Sequence, residues 1–320
     1  MKHFLSGIPI PLAGVALAFA ALGNLLGTYY LPLKYICGFI SLVFILLILL
    51  KLVCCFDHFK QDMQNPIVCS VSAAVFMTIM QLATYVVSFN QSGNLYQFAD
   101  WLWFIAVVGH VLLILYFTYL LFFKLKLHHI YPTVFVTYVG IIVASITSPT
   151  FNAIGLGRIF FWFGFVMYAV MFVVITMRYV KHEVEEAARP LFVLYAAPMS
   201  LTLTGFLTVY PHANGMMTLV MEVLAQLLYV VAVLQIPKLV RLPFYPSYAA
   251  FTFPLIITPF ALNKVLTTFA KEYGFNAPTL IQVLYYIEVV FGICLVAYSV
   301  FEYCKYLYSH YLSGKNKKSV

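Results

Sequence analysis

Charge is what this sequence has least of. Of 320 residues, 18 are Lys or Arg and 10 are Asp or Glu, 9% in all, against 64% hydrophobic residues. With a mean hydropathy of +0.97, no soluble fold hides so much apolar surface, and the composition is that of an integral membrane protein. Catalytic signatures are missing too. There is no H-E-x-x-H, G-x-S-x-G, P-loop or G-x-G-x-x-G, and Gly155-Leu156-Gly157-Arg158 is only a glycine-containing helix start. The six cysteines have no C-x-x-C spacing, so they are expected to act as small apolar residues, with no metal centre, cofactor or disulfide framework. The net charge of +8 gathers into no basic face outside the loops, which excludes a nucleic-acid partner.

What is present is a series of apolar runs of about 20 residues, each long enough to cross a hydrocarbon core of about 30 Å as a helix. Ten are expected, at 7–27, 35–56, 66–90, 97–123, 131–149, 155–179, 190–210, 215–237, 247–270 and 279–308, in one domain covering 1–320 with a basic tail at 309–320. The first run is longer than a signal peptide's core and is kept as a membrane helix. Short loops make successive helices antiparallel hairpins. Lys and Arg gather on the N-terminal side, in the loops after even helices and in the tail, while the other side holds only Lys34, Arg158 and Lys271. Both termini are therefore expected in the cytoplasm, with the tail lysines Lys315, Lys317 and Lys318 free to touch anionic lipid.

Proline and glycine divide the helices into two sets. Pro9, Pro11, Pro66, Pro132, Pro149, Pro190, Pro198, Pro254 and Pro259 fall in or beside odd-numbered helices, as do Gly14, Gly23, Gly140 and Gly205. Bent odd helices inside and straight even helices outside are the pattern of five repeated hairpins, although prolines and glycines also serve plain packing. The ninth helix carries two prolines five residues apart and is expected to bend at both, with Phe253 just before the first bend and inside a passage.

Ionisable residues expected within spans are His110, Glu222, Lys264 and Glu288. His110 is expected to bond a neighbouring helix, and the two glutamates to meet another helix or subunit, while a proton-coupled transporter, the alternative to a passive channel, would have to use one of these three. Phe253, Phe260 and Lys264 share one stripe of an unbent helix, so two phenyl rings stand beneath a cation that attracts anions. The alternative is that Lys264 reaches the outer headgroups while the rings pack as core. The acidic run at Glu183 to Glu186 is expected to be a solvated loop with local ion pairs to Arg178, Lys181 and Arg189.

Gly7-Ile8-Pro9-Ile10-Pro11-Leu12-Ala13-Gly14, Ala196-Ala197-Pro198 and Phe251-Thr252-Phe253-Pro254 stand in an order that resembles the tellurite-resistance/dicarboxylate transporter family. That family includes bacterial TehA, fungal malate and sulfite transporters and the plant guard-cell slow anion channels. The resemblance implies an all-α membrane fold of ten helices, as five hairpins in quasi-five-fold arrangement around a central pore. It also implies a homotrimer in the cytoplasmic membrane, Phe253 as the pore gate, and chloride, nitrate, dicarboxylate or sulfite as cargo. Pro9, Pro11, Gly14, Pro198, Pro254, Pro259 and Phe260 are the candidate lining or bending residues. The third helix departs from the pattern in having no interior proline.

Overall fold

The computed structural model describes residues 2–316. Met1, Lys317 and Lys318, and the side chain of Lys315, lie outside the described residues, and with them the expected lipid contact of the tail.

Ten spans follow one another: α1 Leu12–Leu26, α2 Leu31–Cys54, α3 Pro66–Phe89, α4 Gly93–Phe123, α5 Thr133–Phe151, α6 Ile154–Lys181, α7 Glu186–Val209, α8 Gly215–Leu239, α9 Pro246–Tyr273 and α10 Thr279–Ser313. All but α1 are long and apolar enough to cross a membrane. At 15 residues α1 reaches about 22 Å, and the turn Lys2–Ser6 with the linker after it prolongs its path.

The odd spans close a ring. Each packs on the next, α1 on α3, α3 on α5, α5 on α7, α7 on α9, and α9 returns to α1. Every even span lies outside, in the groove between the two odd spans that flank it in sequence, with α10 between α9 and α1. Burial follows this placement: 61–89% of the apolar stretch is buried in α3, α5, α7 and α9, but 28–33% in the even spans.

The even spans are continuous α-helices, and every odd span is broken. For α1 the break precedes the helix, at Gly7–Pro11 after the turn Lys2–Ser6, where two prolines offer no N–H. In α5 it surrounds Gly140, whose N–H reaches back five residues to the Phe135 carbonyl. In α7 a 3₁₀ stretch, Glu186–Ala196, gives way to α-helix at Ala197, with Pro198 in its first turn.

The break in α3 comes without an interior proline. It falls at Ser72, whose hydroxyl donates to the Cys69 carbonyl at 2.7 Å and so competes with the regular ladder.

The expected bends of α9 need correction. Its break is at Thr252, between the 3₁₀ stretch Pro246–Phe251 and the helix Phe253–Tyr273. Phe253 thus opens a helix, and Pro254 sits in the first turn, where its missing N–H costs nothing. Only Pro259 lies in the helix interior.

Carbonyls beside these breaks find partners on neighbouring spans. The Ile8 carbonyl accepts from Lys51 Nζ of α2 at 2.6 Å, and the Ser70 carbonyl from Thr137 of α5 at 2.7 Å. The Thr137 carbonyl in turn takes His110 Nε2 of α4 at 2.8 Å, and the Tyr248 carbonyl takes Ser299 of α10 at 3.3 Å. In lipid, irregular backbone is tolerated only under such cover.

Candidate functional site

Because the odd spans are broken and rich in small residues, their ring does not close on itself. It encloses two cavities, one toward each membrane face. The one on the side of the chain termini has a volume of about 260 Å³ and is walled by Pro11 and Gly14 of α1, Ala74 of α3, Leu194 of α7 and Phe253 and Pro254 of α9, with Glu185 its charged residue. The opposite one, of about 340 Å³, is walled by Asn24, Gln81, Thr147, Ile257 and Phe260, with Lys34 its charged residue. A third, of about 30 Å³ and wholly apolar, lies among Met77, Phe135, Gly140, Pro198 and Phe253.

Phe253 lines both the terminal-side cavity and the small one. The residue is 7% exposed and is common to the linings of the two spaces. Its position is fixed from behind. Thr252 Oγ1 donates to the Ala249 carbonyl at 2.7 Å and reaches the Gly14 carbonyl of α1 at 3.2 Å, tying the break of α9 to α1.

The structure therefore brings Pro11, Gly14, Phe253 and Pro254 onto one cavity and Phe253 and Pro198 onto another, with Phe260 on the opposite cavity. Pro9, Pro259 and Lys264 are not on these walls. Lys264 turns toward α7, where its ammonium donates to Thr208 Oγ1 at 2.5 Å. The cation that does line the opposite cavity is Lys34, at the start of α2, with its ammonium 5.0 Å from the centre of the Tyr85 ring. Beside it Asn24 Nδ2 donates to Gln81 Oε1 at 2.8 Å, so this cavity offers amides, hydroxyls and one ammonium.

Sequence reasoning missed Lys34 as a lining group because near a span end it reads as a loop cation. It missed Lys51 and Arg178 for the same reason. Lys51 is 2% exposed, and besides Ile8 it binds Asp62 at 2.5 Å. Arg178 is 1% exposed, with its guanidinium 4.2 Å from the Tyr131 ring centre and donating to the His128 and His182 carbonyls.

The acidic run before α7 is also corrected. Among the described residues no glutamate from 183 to 186 pairs with a cation. Glu186 instead accepts the Tyr245 hydroxyl at 2.8 Å, while Ser247 donates to the Ala187 carbonyl at 2.6 Å. These two bonds brace the starts of α7 and α9 at the rim of the terminal-side cavity. The phenol of Tyr245 is held above its ordinary range, first by the hydrogen bond to Glu186, then by burial and the charge of the same carboxylate.

Ring, cavities and broken inner spans describe a membrane protein hollowed toward both faces. No curated protein matches the chain closely enough to be counted. A family model described as voltage-dependent anion channel matches residues 6–304, nearly the whole of the fold just described. The chain thus belongs to the SLAC1 family, the voltage-dependent anion channels and their relatives.

Proposed function

We propose that this protein lets small monovalent anions such as chloride and nitrate move down their gradient through the ring of odd spans, with Phe253 as the closure. The observation that supports the reading is that the buried Phe253 is shared by the linings of the terminal-side cavity and of the small apolar space beside it. An apolar ring at a constriction blocks wetting, and weak, distributed polar contacts on either side let an ion enter without being held. Lys34, and more distantly Lys264, raise the anion concentration on the opposite side. The route runs through one chain. Lipid and a second copy both suit the apolar even spans, and a homotrimer in a bacterial cytoplasmic membrane with both termini inside is the assembly proposed.

The test is Phe253→Ala in oocytes or planar bilayers. A smaller side chain is expected to raise anion current several-fold at equal surface expression. Unchanged current in well-expressed protein removes Phe253 from the gate. Reversal potentials in chloride, nitrate, sulfite and malate in turn then order the permeant ions.

A second reading, coupled export of dicarboxylate, sulfite or tellurite-type oxyanions with protons, is favoured by the carboxyl groups of Glu222 and Glu288 inside the membrane. Flux into proteoliposomes that follows a pH gradient at clamped voltage selects this reading over passive conduction.

A further inference from the structure

Behind α9, on the side away from the cavities, α8 and α10 each bring a carboxyl group into the apolar interior. Glu222 lies seven residues into α8 and Glu288 nine into α10, about 10 and 14 Å along helices that start from the same face. They lie at similar depths, well inside the spans. Glu222 is 8% exposed and Glu288 2%. Gln226 Nε2 donates to Glu222 Oε1 at 2.9 Å. Glu222 Oε2 and both oxygens of Glu288 are buried with no hydrogen-bond partner.

The surroundings hold no counter-charge. Glu288 has Glu222 and Gln226 of α8 beside it, and Tyr229 of α8 within electrostatic range. From α9, which packs against both helices, the nearest cation in depth is Lys264, and its ammonium is committed to Thr208 of α7. Among the described residues neither carboxyl forms an ion pair. An unpaired carboxylate in such a place costs several kcal/mol even after relaxation. Two of them, close together, also repel.

We propose that Glu222 and Glu288 form a proton-binding site inside the membrane, on the rear of the helix that carries Phe253. A hydronium ion gives a proton to a carboxylate oxygen of Glu288: one O–H bond forms there, one breaks on the donor, and water is left. The neutral acid removes the burial cost and gives the pair an O–H donor.

The site reaches the gate helix directly. One turn beyond Glu288, Gly292 lies so close to α9 that a Cβ there would stand 2.6 Å from the Leu255 carbonyl. Leu255 is two residues past Phe253, and Pro259 has no N–H to give its carbonyl. Since α9 and α10 run antiparallel, the turn holding Glu288 lies at the level of Pro259. Loss of the proton sets negative charge beside this gap in the α9 ladder and against Glu222, which loosens α10 and α8 from α9. The site is independent of which ion passes, and of whether any does.

The experiment is infrared spectroscopy of the purified protein in H₂O and D₂O at neutral pH, joined to thermal unfolding against pH. The expected result is a carbonyl stretch of a neutral, buried carboxylic acid that shifts in D₂O, is lost in Glu288→Gln and moves in Glu222→Gln. The melting temperature of the wild type is expected to fall on going from neutral to alkaline pH, and that fall to shrink in Glu288→Gln. The wild-type spectrum decides even if a variant fails to fold. Absence of a neutral-acid band in folded wild type overturns the proposal, as does its survival in Glu288→Gln. A melting temperature that follows sodium or potassium at fixed pH also overturns it, by making the pair a metal-cation site. Conduction through Phe253 is read by current alone, so either idea fails without the other.

Discussion

The odd and even spans of this protein are built from nearly the same apolar residues and do opposite things with them. Leu112, Leu115 and Tyr116 of α4 are exposed, as are Phe39 and Leu46 of α2, and their backbones form unbroken ladders. In α1 the residues Leu12, Val15, Ala16 and Leu17 are all buried, on a span that begins in a break. The difference lies in who satisfies the backbone. An even helix satisfies its own carbonyls and meets lipid. An odd span gives up part of its ladder and borrows donors from neighbours, which ties it to them at fixed points and leaves room at the centre.

If borrowed donors hold the inner ring, removing one should cost more than any change on the lipid-facing side of the outer spans. The largest effect is expected at Lys51. Lys51→Met leaves the Ile8 carbonyl and Asp62 without their ammonium, at about 2–3 kcal/mol, the lower end for a broken buried pair because Asp62 is partly exposed. Leu115→Ala on the lipid face of α4 should stay within about 0.5 kcal/mol. Unfolding midpoints in mixed detergent compare the two, and equal losses would dissolve the distinction.

Glycine gives a smaller effect that follows close packing at each position and not odd or even membership, since Gly109 of α4 and Gly292 of α10 are crowded as well. A Cβ at Gly140 of α5 would run into the Val136 carbonyl and the Met77 sulfur, whereas one at Gly155 of α6 meets nothing within 4 Å. Gly140→Ala is expected to cost about 1–3 kcal/mol through overpacking. Gly155→Ala should be neutral or slightly stabilising, since alanine restricts the unfolded chain more. The variant pair is read by thermal unfolding in one detergent.

The division into inner and outer spans is legible in the sequence because proline and glycine mark where a helix gives up its ladder. The number of spans is legible because lipid demands about 20 apolar residues for each. The positions of two breaks are not. Ser72 and Thr252 break α3 and α9 with hydroxyls that return to their own backbone, and such residues sit in unbroken helices as well. Phe253 was expected in a passage and lines two cavities, but the sequence put the bend after it, at Pro254, where the first turn of a helix takes proline at no cost. Lys34, Lys51 and Arg178 were legible only as charges near span ends. Whether a long cationic side chain turns out to water or back into the protein depends on acceptors from elsewhere in the chain, such as the Ile8 carbonyl, which a linear reading does not bring together.

The smallest expected effect concerns the rim where two odd spans begin. Tyr245 joins the start of α9 to Glu186 at the start of α7, outside the membrane, so water screens it and competes for it. Tyr245→Phe keeps the ring and removes the donor. Since the phenol is held above its ordinary range by Glu186, the bond stabilises the fold at any pH below about 10, the usual tyrosine value, and is lost as pH rises through the higher folded value. Wild type and Tyr245→Phe should therefore differ slightly in melting temperature at neutral pH and converge in strongly alkaline buffer. A difference that widens with pH would mean that the phenolate, not the phenol, braces the rim.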